Sequence, residues 1–137
     1  MDVDLILCDA CQQVDGKLYI LGGGWTHAVV PPEAPVSLAL GLIVSVGWNE
    51  ANRPFDLTVI LKDQDGAPVL AGDEDPIRLE GRAEVGRPPG LQPGSQLNTT
   101  FAFNFGALPL PANGYVWIVE IDSIEMERKP FWVAHPD

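Results

Sequence analysis

Apolar and polar residues alternate with a period of two over several short stretches of this chain, the spacing that puts successive side chains on opposite faces of a β-strand. In Phe55-Asp56-Leu57-Thr58-Val59-Ile60-Leu61-Lys62, the odd positions form an apolar face while Asp56, Thr58 and Lys62 face the other way, with Ile60 as the exception. Asn98 to Phe105 repeats the pattern: Phe101, Phe103 and Phe105 oppose Thr100, Ala102 and Asn104, and three aromatics at period two predict a core strand. Ile77-Arg78-Leu79-Glu80-Gly81-Arg82-Ala83 alternates with small and charged residues, as an edge strand or a sparsely covered face does, and the run continues to Val85. Tyr115 to Ile121 is apolar until Glu120, which suits a central strand. Leu5 to Leu7, Lys17 to Leu21 and Ser37 to Val46 add further runs. Pro130-Phe131-Trp132-Val133 reads as a last strand after a charged turn over Glu125 to Lys129. Should that strand find no partner in its own domain, it could add to a neighbour's sheet edge.

Turn chemistry separates these runs. Asp15-Gly16 and Asp65-Gly66 supply the positive φ that tight hairpins demand, and Asn113-Gly114 is expected to do the same before Tyr115. A short helical turn is expected over Trp48 to Asn52, ended by Pro54. Gly86 to Gly94 reads as a surface connector of polyproline character. With 14 Gly and 13 Pro spread along the chain, long helices have little room. The expectation is an all-β protein, a single antiparallel β-sandwich (immunoglobulin-like or similar) of roughly seven to nine strands forming one domain over residues 1–137, with a β-barrel as the alternative.

Composition narrows the function classes. A chain that is 46% hydrophobic can bury a core and is not intrinsically disordered. Eight basic against nineteen acidic side chains leave a net charge of −11, which speaks against nucleic acid and against an anionic membrane surface as partners. The acidic start Met1-Asp2-Val3-Asp4 lacks a signal-peptide pattern, and the longest apolar run, Val36 to Val46, is about half of the ~20 residues a membrane helix needs. A cytoplasmic protein is expected. Cys8 and Cys11, spaced as Cys-Asp-Ala-Cys, could serve redox chemistry or half a zinc site, but no second pair accompanies them, and two reduced, buried thiols are the expectation.

The stretch Leu5-Ile6-Leu7-Cys8-Asp9-Ala10-Cys11-Gln12-Gln13-Val14-Asp15-Gly16-Lys17-Leu18-Tyr19-Ile20-Leu21-Gly22-Gly23-Gly24-Trp25, together with Trp48-Asn49-Glu50-Ala51-Asn52-Arg53 and Gly114-Tyr115-Val116-Trp117, resembles a family of small conserved bacterial proteins with no assigned function. The resemblance extends over most of the chain. It implies a compact β-rich domain usually found alone, with no catalytic residue set to carry over.

Candidate chemistry is sparse. Gly22-Gly23-Gly24 lacks the following helix that a phosphate-binding loop needs, and reads as a corner where the chain leaves one sheet. Asp63 and Asp65, with the group Asp73-Glu74-Asp75, are the best candidates for a Ca²⁺ site. For nucleophilic catalysis the one pairing available is Cys8 or Cys11 with His27. No enzyme, cofactor or metal is expected. The aromatics say more: Trp25, Trp48 and Trp132 stand beside glycine, turn or terminal residues where a ring can be half exposed, and with His27 they form the expected interaction surface. The expected role is that of a non-catalytic protein-interaction or structural module, binding a protein partner or a second copy of itself. The alternatives are a small-ligand or carbohydrate-binding module that stacks its ligand on Trp25 and Trp48, and a Ca²⁺-dependent module.

Overall fold

The computed structural model describes residues 1–72 and 74–136. These residues form ten strands: β1 (Asp2–Cys8), β2 (Ala10–Val14), β3 (Lys17–Leu21), β4 (His27–Val29), β5 (Val36–Val46), β6 (Phe55–Asp63), β7 (Arg78–Ala83), β8 (Leu97–Leu108), β9 (Asn113–Ile121) and β10 (Ile124–Ala134). They make a three-stranded sheet in the order β1-β5-β8, a five-stranded sheet in the order β4-β10-β9-β6-β7, and a separate β2-β3 hairpin. Neither large sheet closes on itself, so the arrangement is a sandwich rather than a barrel. All pairings are antiparallel except that of β4 with β10.

Period-two patterning decides which faces meet. Leu38, Leu40, Leu42, Val44 and Val46 of β5 pack with Phe55, Leu57, Val59 and Leu61 of β6 and with Tyr115, Trp117, Val119 and Ile121 of β9 in one core. The exception at Ile60 has a structural reason. Ile60 pairs with Ile118 on the outer face of the five-stranded sheet, and Arg78 and Arg128 flank the two across the neighbouring strands. Both isoleucines are buried there, a position in which arginine stems cover apolar surface while their guanidinium groups stay in water.

The hairpin lies on the outer face of the three-stranded sheet, where Ala39 and Gly41 of β5 and Ala102 of β8 leave room for it. A Cβ on Gly41 would stand 3.3 Å from Leu18 Cδ1 and 3.6 Å from Ile20 Cδ1. Cys8, Cys11 and Ala39 form a second, small core beneath it. The hairpin is tied down at its backbone: Cys11 N–H donates to Asn104 Oδ1 (3.1 Å), and Asn104 Nδ2 donates to Cys11 O (2.9 Å). Gln13 Nε2 donates to Thr100 O (2.9 Å), and the Thr100 hydroxyl donates to Gly16 O (3.1 Å).

Several turns differ from expectation. Asp15-Gly16 closes the β2-β3 hairpin with φ of 52° and 73°. Asp65-Gly66 turns the chain, but the residues after it make isolated bridges, Lys62 with Pro68 and Leu70 with Pro76, instead of a full strand. Asn113-Gly114 is not a turn. It opens β9, paired with Val133 and Trp132, because two positive φ values would break that ladder. Glu125 to Lys129 is likewise strand, part of β10 against β9. The β9-β10 turn falls instead on Asp122-Ser123, with φ of 50° and 68° and no glycine to announce it. Asp122 helps to hold the strained conformation: its N–H donates to Asp56 O and its Oδ1 accepts from Asp56 N–H, both at 2.9 Å. Relieving the left-handed strain at Ser123 with glycine outweighs the gain in unfolded-chain entropy, so Ser123→Gly is expected to stabilise by about 0.5 kcal/mol. A thermal melt checks this, and a lower Tm would show that Ser123 carries no strain.

Pro130 to Val133 pairs within its own sheet, with β9 on one side and β4 on the other. The expected helical turn is a single 3₁₀ turn over Trp48–Glu50. Phe101, Phe103 and Phe105 face inward but are only half-buried, since β8 is the outermost strand of its sheet and the sandwich stands open beside it.

Candidate functional site

Fold topology separates the four residues expected to form one surface. Trp132 and His27 come together as direct partners on β10 and β4. Trp132 also lies opposite Gly114 on β9, where a Cβ would stand 3.1 Å from its Cη2 and 3.2 Å from its Cζ2. Glycine there leaves room for the edge of the indole. Trp132 is nevertheless 55% exposed, and Val29, on the same face two residues beyond His27, is 57% exposed. Ala134 pairs with Val29, and Pro130 lies on the same face of β10 as Trp132. The result is an apolar patch with one imidazole in it, at the edge of the five-stranded sheet.

Trp25 sits on the inner side instead. It meets Phe131 edge-on, with ring centroids 6.1 Å apart at 88°, and packs against the core. Trp48 is elsewhere again: the Arg87 guanidinium carbon lies 4.8 Å from its ring centroid, and Arg87 Nε and Nη2 donate to the Trp48 carbonyl at 3.1 and 2.6 Å. Both rings are half-buried. The two indoles expected to be platforms thus spend their faces within the protein, and the exposed one is Trp132. Sequence reasoning missed Val29, Pro130 and Ala134, whose exposure comes from the parallel register of β4 on β10. Period-two reading from Trp132 to Pro130 was the available signal.

The cysteines are free and buried, with Sγ atoms against the carbonyls of Ala39 (3.5 Å) and Leu40 (3.3 Å). Burial, reinforced by the neighbouring Cys11 thiol, pushes the Cys8 thiol up to about 12. A neutral thiol is neither a nucleophile nor a metal ligand. His27 is exposed on the outer face of the other sheet, and its ring contacts Thr26 Oγ1 at 3.4 Å, so the Cys–His pairing is not assembled. Asp63 Oδ1 accepts from the N–H groups of Asp65 (2.9 Å) and Ala67 (3.0 Å), which is turn chemistry. Of the second acidic group, Asp73 lies outside the described residues. No three His, Cys, Asp or Glu side chains among the described residues come together as a metal site would require. Gly22 (φ 62°) and Gly24 (φ 91°) make the expected corner, and Gly24 N–H donates to Leu7 O before the chain crosses to β4.

Apolar openings also lie elsewhere on the protein. A pocket of about 390 Å³ at one end of the sandwich is lined by Pro32, Pro35, Pro109, Leu110 and Pro111, with Glu33 and His135 as its ionisable side chains. A cleft of about 130 Å³ separates β7 from Phe101 and Phe103.

Fold and surface together describe a β-sandwich protein with a face-packed hairpin and an exposed apolar sheet edge. The chain belongs to DUF6941, a family of unknown function, whose model matches residues 4–134. No curated protein and no solved structure matches it. No helix among the described residues is long and apolar enough to cross a membrane.

Proposed function

We propose that this chain is a non-catalytic protein-interaction module that grips a protein partner through the Trp132 face. The observation that carries the reading is the indole of Trp132, set against Gly114 and 55% exposed. A large rigid ring left in water at the centre of an apolar patch is the commonest kind of binding anchor. Two reduced cysteines support a reducing, cytoplasmic compartment. A carbohydrate reading based on Trp25 and Trp48 has less support, because Phe131 and Arg87 already occupy those rings.

The test compares wild type, Trp132→Ala and Tyr19→Ala as baits in the source lysate, followed by affinity measurement with whatever wild type retains. Loss of an anchor costs about 2 kcal/mol or more, so Trp132→Ala is expected to weaken binding roughly 30-fold or more. Tyr19→Ala, a change on the exposed face of the hairpin, should bind as wild type does. A partner that binds Trp132→Ala undiminished would refute the reading.

A further inference from the structure

Strand β7 is the outermost strand of the five-stranded sheet, with β6 on one side and no strand among the described residues on the other. The Ile77 and Val85 carbonyls point inward, accepting from the N–H groups of Leu61 (3.1 Å) and Asn52 (2.8 Å). Antiparallel ladders alternate the direction of their hydrogen-bonding groups. The N–H and C=O groups of Arg78, Glu80, Arg82 and Glu84 therefore face the free edge. The side chains alternate as well: these four are exposed, while Ile77 is buried and Leu79, Ala83 and Val85 are partly covered.

Charged side chains on an edge usually discourage pairing. Here their order invites one particular pairing. If a second copy of Ile77-Arg78-Leu79-Glu80-Gly81-Arg82-Ala83-Glu84-Val85 runs antiparallel with the two-fold axis at Gly81, Arg78 faces Glu84 and Glu80 faces Arg82, each twice. Leu79 then faces Ala83, and Ile77 faces Val85. Moving the axis by one residue sets Glu80 against Glu80 or Arg82 against Arg82. Directly opposed opposite charges stabilise a strand pair and like charges destabilise it, so the sequence selects one register. With the open groups on the even-numbered residues, the charged pairs become the hydrogen-bonded pairs and Gly81 meets its copy at a non-hydrogen-bonded position, where strands approach closest.

Two observations beyond charge agree. Gly81 has no reason inside one copy: a Cβ there would meet nothing within 4 Å, and its φ lies outside the left-handed region. Glycine weakens a strand interior and marks places where another backbone comes close. The cleft beside β7 is also unfinished, for Phe101 and Phe103 stack at 6.2 Å and 11° yet remain half-buried against Leu79, Gly81 and Ala83. A second β7 would extend that apolar face beside them. The ion pairs now made by these side chains, Arg78 with Glu80 (2.6 Å) and Arg82 with Asp56 (3.9 Å), are exposed, and such pairs hold their partners weakly.

We infer that this protein forms a two-fold dimer by antiparallel pairing of β7 with β7 of a second copy about Gly81, joining two five-stranded sheets into one of ten strands. Each copy carries −11, so general electrostatics oppose association. The charge-balanced edge supplies the local complementarity that overcomes it. This surface is separate from the Trp132 face and does not depend on it.

Sedimentation analysis of the wild type and three variants tests the pairing. Wild type should run at twice 14.8 kDa. An acidic variant, Arg78→Glu with Arg82→Glu, and a basic variant, Glu80→Arg with Glu84→Arg, should each run as monomers, and their equimolar mixture should recover the doubled mass. Trp132→Ala should stay dimeric. The inference is overturned by a monomeric wild type at its highest soluble concentration, by variants that remain dimers alone, by a mixture that stays monomeric, or by a dimer that only Trp132→Ala disrupts.

Discussion

Trp117→Ala is expected to lower stability by about 3–5 kcal/mol, the range for removing a large aromatic side chain from a core. Trp117 is fully buried in β9, paired with Leu61 on β6 and Lys129 on β10. Its ring packs against Phe105 at a centroid distance of 4.9 Å, the closest of the aromatic contacts in the sandwich. Truncation leaves a cavity among core side chains that are held in their own strands. The indole Nε1 has no hydrogen-bond partner among the described residues, and a buried unpaired donor costs about 1–3 kcal/mol. Trp117→Phe removes that donor together with part of the ring, so its two effects oppose each other and its loss should fall well short of alanine's. Urea denaturation with an unchanged m-value checks both variants. A loss below about 1 kcal/mol for Trp117→Ala would mean that the core repacks far more easily than its close packing implies.

The second large effect concerns the hairpin. Gly41 already brings β5 so near Leu18 and Ile20 that one added carbon is tight. Gly41→Leu must lift the hairpin, straining or breaking the bonds from Cys11 to Asn104 and from Gln13 to Thr100. Overpacking of this kind costs about 1–3 kcal/mol, which raises the open population and the rate of thiol modification at Cys8 and Cys11 by about 5- to 150-fold. Asn104→Ala removes two of the ties without adding bulk and should move the rate in the same direction. Timed reaction with an aromatic disulfide reagent, alongside circular dichroism to show that the sandwich persists, measures this. Rates equal to wild type in both variants would show that the hairpin does not shield the thiols.

The same site carries a pH dependence whose sign is set by burial. The Cys8 thiol is raised from an ordinary 9.0 to about 12, so the closed hairpin favours the neutral form. That contribution is fully present below pH 9.0 and is lost as pH rises toward 12, because the opened chain ionises first. Alkaline solution should therefore accelerate modification beyond what thiolate chemistry alone explains.

What was legible in the sequence is what neighbours along the chain enforce. Alternation in Phe55 to Lys62 identified a strand and its inner face, since only an extended chain puts every second residue on one side, and the unbroken apolar run from Tyr115 marked a central strand. Asp15-Gly16 announced its hairpin because few residues tolerate two consecutive positive φ values. The edge character of Ile77 to Ala83 was readable for a related reason, as small and charged side chains suit a strand that lacks a second neighbour.

Strand order, sheet membership and exposure were settled by contacts distant in sequence. Asn113-Gly114 has the composition of a turn, yet pairing with Val133 and Trp132 extends it, while Asp122-Ser123 takes the turn because Asp56 holds Asp122 in place. Glu125 to Lys129 is charged enough for a loop and became strand because β9 offered a full ladder. Only the tertiary structure could separate Trp25, Trp48 and Trp132: all three stand beside glycine, turn or terminal residues, but Trp25 found Phe131, Trp48 found Arg87, and Trp132 found a glycine neighbour and water. The physical reason is range. Periodicity and turn propensity act over a few residues, whereas the partner that buries a ring or leaves it bare is chosen by which strands lie side by side once the sheets have formed.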